Sequence, residues 1–176
     1  MRESTSAGAA GAAAAPHTAE FAAAYLDAWN SHDVDRLLAR MTPDVVYDDS
    51  AWPVTMRGHE DVRRVLEHAW GAFPDMRFEI VEGPYCLGEN KVAFWWRGTG
   101  KMTGRLDPPG FAPTGRRCRV QGADFHEYRD GLISRLRIVF NLAEASQQLG
   151  LMPTPGSRAQ RIAAALGRVE TRFQRR

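Results

Sequence analysis

Apolar residues recur at helical spacing in the first part of the chain and alternate with polar ones in the second. Phe21, Tyr25, Leu26 and Trp29 share one helical face. They predict a first helix, opened near the capping candidate Thr18 and broken at Asn30-Ser31-His32. Val34, Leu37, Leu38 and Met41 predict a short second helix, opened by Asp33 and ended by Pro43. Val45-Val46-Tyr47 reads as a short strand running into Asp48-Asp49-Ser50. Gly58 precedes a third helix whose buried side is Val62, Val65, Leu66 and Trp70, with Pro74 stopping it. Strands follow over about 76–83, 90–99, 116–129 and 132–141, and Asp130-Gly131 marks a tight hairpin between the last two. The stretch 101–115, with Pro108-Pro109-Gly110 and Pro113, reads as a long loop or strand extension. Helices segregated from a run of antiparallel strands predict an α+β fold.

Composition narrows this picture. The 176 residues are 44% apolar with five Trp, which suits one domain with a real core. Basic and acidic residues number 23 and 21, a net charge of +2 that gives no argument for nucleic acid as a partner. The charge is unevenly spread. Residues 153–176 hold six Arg and one Glu, so the basicity sits in a tail and the body is net acidic. In that tail Ile162, Leu166, Val169 and Phe173 predict an amphipathic helix over 157–173. It covers the body or a subunit neighbour, or serves as a membrane- or acid-seeking arm. Residues 1–17, rich in Ala with Gly and Ser, read as a disordered leader. No run is apolar enough for a membrane span. Cys86 and Cys118 form neither a disulfide framework nor a zinc motif, which points to a reducing cytoplasm.

Candidate chemistry gathers on one strand. Val120, Gly122, Asp124, His126 and Tyr128 share a face, while Arg117, Arg119, Phe125, Glu127 and Arg129 share the other. The first set is expected to look inward, and a carboxylate there needs a partner. His126 lies on that face two residues on, placed to hold Asp124, to act as acid or base, or to be a core histidine. His32, His59 and His68 are scattered and read as surface. Trp52, Trp70 and one of Trp95 and Trp96 imply an apolar, aromatic pocket or simply fill the core. No glycine-rich nucleotide loop, serine-nucleophile elbow or metal-ligand pattern is present, so no cofactor and no metal are implied.

The order of elements resembles the SnoaL-like polyketide cyclase and ketosteroid-isomerase-like families of the nuclear transport factor 2-like superfamily. The resemblance covers 18–152 and rests on four stretches. They are Tyr25-Leu26-Asp27-Ala28-Trp29-Asn30-Ser31-His32-Asp33, Met56-Arg57-Gly58-His59-Glu60, Gly122-Ala123-Asp124 with Asp130-Gly131, and Gln147-Gln148-Leu149-Gly150. It implies a cone-shaped curved antiparallel sheet wrapped around three helices, with a pocket inside, and a homodimer. It also implies a catalytic set: Tyr25 as an oxyanion donor, Asp49 as general base and Asp124 as a protonated oxyanion donor. Tyr25 is otherwise a core residue and Asp49 a turn cap, and Asp48 competes with Asp49 for the inward position. Counting from the hairpin turn, the catalytic Asp of SnoaL-like cyclases falls on Ile138, and a second acidic position on Asn141. The strand through Leu136, Ile138 and Phe140 then presents an apolar wall. The resulting expectation is a cofactor-independent cyclase acting on a large, polyketide-like carbon skeleton by an aldol-type step or a cycloaddition. The alternatives are a double-bond isomerase and a non-catalytic binder of hydrophobic ligands.

Overall fold

The computed structural model describes residues 19–165 except 89, 108, 109 and 163. The expected leader 1–17, the cap at Thr18, and Leu166, Val169 and Phe173 of the tail lie outside the described residues. Helix α1 (Ala19–Ser31) buries Tyr25, Leu26 and Trp29. Asp33 caps α2 (Val34–Leu38), its carboxylate accepting the Arg36 N–H at 3.1 Å. Helix α3 (Gly58–Ala72) buries Val62, Leu66 and Trp70 at four-residue spacing, and Glu60 and Asp61 sit at its positive N-terminal end.

Six strands make one sheet: β1 (Met41–Asp49), β2 (Met56–Arg57), β3 (Arg77–Leu87), β4 (Lys91–Lys101), β5 (Arg117–Arg129) and β6 (Leu132–Phe140). Their order is β2-β1-β6-β5-β4-β3. This is an α+β architecture in which a curved sheet holds the helices. Helix α1 packs on β3 and α3 on β1. Asp130 and Gly131 both have positive φ, 52° and 77°, as the two-residue β5–β6 turn requires. Among the described residues no helix is long and apolar enough to cross a membrane.

The structure departs from the sequence expectations in four places. The second helix stops at Leu38, and Met41 and Pro43 belong to β1. The β1–β6 pairing is parallel, so the sheet is not antiparallel throughout. Its register slips between Met41 and Val46, and Pro43, which lacks an N–H to give, lies in that slip. A further helix, α4 (Leu142–Leu149), follows β6 and packs on β5. Finally, His32, His59 and His68 are half-buried, and each ring meets a backbone group: Met76 O, Met41 O and Asp107 N–H, respectively. In the tail, residues 158–162 and 164–165 are helical, and Ile162 is exposed.

Candidate active site

The strand pairings set inward-facing side chains in rows across the sheet. Asp49 pairs with Ile138, which pairs with Asp124, which pairs with Phe94. One step along, Tyr47, Leu136, His126 and Val92 form a second row. On the other side, Phe140, Gly122 and Trp96 form a third. Two strand spacings separate the backbones of Asp49 and Asp124, roughly 10 Å. Between this face and the helices lies a cavity of about 390 Å³. Its walls include Tyr25, Trp29, Trp52, Phe78, Trp96, Ile138 and Phe140, with Asp49 and Asp124 as the acidic residues among the described ones. Leu142, Ala145 and Leu149 of α4 also line it.

Asp124 is buried, and its Oδ1 accepts the Trp96 Nε1–H at 2.6 Å. The indole can reach it because residue 122 is glycine. A Cβ there would stand 2.5 Å from Trp96 Cζ2 and 2.5 Å from Val139 O. Phe78 and Phe140 flank the same indole, with ring centroids 5.1 and 6.1 Å away. The other carboxylate oxygen of Asp124 lies 3.5 Å from His126 Nε2, and His126 Nδ1 is 2.9 Å from Tyr128 Oη. Tyr25 Oη accepts the Trp29 Nε1–H at 2.8 Å. Burial first, and the nearby Asp124 second, push the Tyr25 hydroxyl well above the ordinary phenol range. It is therefore a neutral O–H, and its proton has no acceptor among the described residues.

Asp49 differs from its neighbour. Asp48 accepts the Thr55 hydroxyl and lies within reach of Arg135 and Arg137, so it is held below the usual carboxylate range. Asp49 turns into the cavity, and its Oδ1 accepts the Ala51 N–H at 2.8 Å. Burial raises its pKa to about 6, against the lowering effect of that N–H and with Asp124 adding to the rise.

Of the expected site residues, Tyr25, Asp49, Asp124, Trp52, Trp96, Ile138 and Phe140 line the cavity. His126, Tyr128, Leu136 and Trp70 do not. The first three lie further along the inward face, in the core. Trp70 packs against Trp29 and stacks on His32. Trp95 faces the other side of the sheet, with its N–H on Gln121. Sequence reasoning missed Tyr47, whose buried hydroxyl has no hydrogen-bond partner among the described residues and feels both Asp49 and Asp124. Its place two residues before Asp49 on the same strand face was the available signal. It also missed α4, although Asn141 and Glu144 carry the spacing of an N-terminal cap and Gly150 that of a C-terminal one. Among the described residues no three His, Cys, Asp or Glu side chains are grouped to hold a metal ion.

A curved sheet closing an apolar cavity over two carboxyl groups and a tyrosine defines a small cavity-bearing α+β protein. The chain belongs to the SnoaL-like domain family, whose sequence profile matches residues 22–136. No curated protein matches it at a significant level. Solved structures do. AclR of Streptomyces galilaeus, described as a candidate hydroxylase, is 21% identical with a TM-score of 0.64, over 88% of this chain and 94% of that one. IdmH of Streptomyces antibioticus, a candidate polyketide cyclase, is 24% identical with a TM-score of 0.60, over 73% and 95%. A Catenulispora acidiphila protein of ketosteroid-isomerase-like fold, solved with trimethylamine, is 20% identical with a TM-score of 0.63, over 76% and 94%. At these identities the likeness is one of fold.

Proposed function

We propose that this protein is a cofactor-independent polyketide tailoring enzyme, a cyclase that closes a ring in an apolar carbon skeleton by an enolate. The observation that carries the reading is the Asp49 carboxyl, with a pKa of about 6, on the wall of a mainly apolar cavity whose lining also includes Tyr25 and Asp124. A base works best when its pKa lies near the working pH. At neutral pH Asp49 is mostly ionised, in surroundings that favour its taking a proton. It removes a proton beside a substrate carbonyl. The resulting enolate oxygen accepts the Tyr25 O–H, a donor already in place before charge develops. The enolate carbon attacks a second carbonyl, and the new alkoxide takes up a proton. Asp124, already an acceptor for Trp96, anchors a substrate hydroxyl. The cavity lies in the lower part of the ~300–1,000 Å³ range of small-molecule sites, which suits a compact skeleton of few rings. Cyclase neighbours and family membership support the same class.

A second reading, a folding template for a cycloaddition, is favoured by Ile138. It stands between the two carboxyl groups on the wall and makes that wall apolar where related cyclases are acidic. A template moves no proton. Hydrogen–deuterium exchange at the α-carbon of 2-tetralone in D₂O separates the two. The enolate reading expects the protein to accelerate it and Asp49→Asn to cut the acceleration by ~10²-fold or more. No acceleration by a protein that binds the ketone would leave the template reading.

A further inference from the structure

The cavity runs along β5, and its two ends differ. On the inward face of β5 the order is Asp124, Gly122, Val120 and Cys118. Asp124, Val120 and Cys118 all belong to the cavity wall, and Cys118 pairs with Gly100 of β4. Asp124 stands six positions beyond Cys118, roughly 20 Å along the strand. The carboxyl end is closed, because the next row, Tyr47, Leu136 and His126, is fully buried.

The far end is built differently. The last pair that β6 makes with β5 is Phe140 with Gly122. Beyond it α4 takes over as the wall. The Gln148 side chain accepts the Arg119 N–H at 2.7 Å and donates to the Arg119 carbonyl at 2.9 Å, as a neighbouring strand would. Leu149 then packs with Phe73 and Cys118 in a hydrophobic cluster distinct from the main core. Phe73 lies on Gly100, where a Cβ would stand 3.3 Å from its ring. Phe73, Cys118, Ala145 and Leu149 are all part of the cavity wall.

The cavity thus joins two cores. One end carries the carboxyl groups of Asp49 and Asp124, and among the described residues the walls of the other end hold no charged side chain. We propose that the substrate is an elongated ketone held in one direction. Its oxygenated end lies between Asp49 and Asp124, and an apolar arm runs past Val120 to Cys118 and Leu149. The reverse direction would take the carbonyl away from Tyr25 and the enolisable carbon away from Asp49. An empty far end would forgo the dispersion contacts that the arm supplies. The inference rests on the enolate reading at the oxygenated end. It adds the arm, whose binding does not depend on Asp49 as the base.

Titration calorimetry of the full chain with 2-butanone, 2-hexanone and 2-nonanone measures the arm. Affinity should rise about three- to fourfold with each added CH₂. Ala145→Phe, which fills the far end, should abolish the gain between 2-hexanone and 2-nonanone. Direction is read without any variant, from α-hydrogen exchange in D₂O. With its carbonyl at mid-chain, 5-nonanone cannot seat it at the closed end, so 2-nonanone should exchange faster by ~10²-fold or more. Affinity that does not grow with length, isomers that exchange equally above background, or a folded Ala145→Phe protein that keeps the full gain would overturn the arm. The two readings fail separately. Affinity that grows with length while no ketone is exchanged keeps the arm and removes Asp49 as base. Exchange of 2-butanone with no gain from length keeps the base and removes the arm.

Discussion

Asp49 does two opposed things at the scale of a single residue. Its folded pKa, about 6, lies above the ~3.9 of an unfolded aspartate, so the folded state binds its proton more tightly. The stability this gives is fully present below about pH 4 and is lost as pH rises through 6. At neutral pH the ionised carboxylate costs the fold roughly 2–3 kcal/mol as an upper figure. Asp49→Asn should therefore raise the melting temperature by several degrees at pH 7.5 and leave it unchanged at pH 4, while abolishing proton transfer. Thermal denaturation at the two pH values checks this. A variant less stable at pH 7.5 would mean that Asp49 is a turn cap and nothing more. Asp124 was legible in the sequence from strict alternation along β5, which left the other face charged. Tyr47 was not, because an apolar triplet ending in tyrosine looks like any core strand. Its unpartnered hydroxyl becomes visible only when β6 and β5 bring Leu136 and His126 alongside.

At the scale of elements, the site depends on a missing side chain. The Trp96 indole crosses β5 over Gly122 to reach Asp124. Gly122→Ala places a methyl group where the ring lies, against a backbone oxygen that cannot retreat. It should destabilise the protein by about 1–3 kcal/mol, as overpacked cores do. It should also change the tryptophan fluorescence, because the indole leaves its carboxylate. Denaturant titration read by fluorescence measures both, and a variant with native stability and spectrum would contradict the seating. Local sequence showed most elements well. The β5–β6 hairpin follows from Asp130-Gly131, and α3 from its four-residue spacing. The β1–β6 pairing was hidden because its partners are some 90 residues apart and no turn announces them. Pro43 misled for a related reason: proline ends helices, but it also fits a strand where the ladder is already broken.

At the scale of the whole molecule, the outer face of the sheet carries two apolar rows. Tyr85, Ala93 and Phe125 are aligned, and so are Trp95, Ala123 and Val139. Tyr85, Trp95, Phe125 and Val139 are all exposed. Ion pairs of both signs, Arg97 with Glu79 and Lys91 with Glu127, border them. An aromatic patch with a mixed-charge rim suits self-association, and the proposal is a homodimer through this face. Light scattering should give twice the 19.6 kDa chain mass, and Trp95→Arg with Phe125→Arg should give a monomer. A monomeric wild type at high concentration would contradict it.

The account as a whole turns on whether Asp49 moves a proton inside the cavity. The pH dependence of α-hydrogen exchange into 2-tetralone, corrected for the uncatalysed rate, tests this most directly. The protein-catalysed rate should rise as Asp49 ionises, with a midpoint near pH 6, and level off above it. Asp49→Asn should remove both the rate and the midpoint. A flat profile, or a midpoint that survives in Asp49→Asn, would show that Asp49 is not the base.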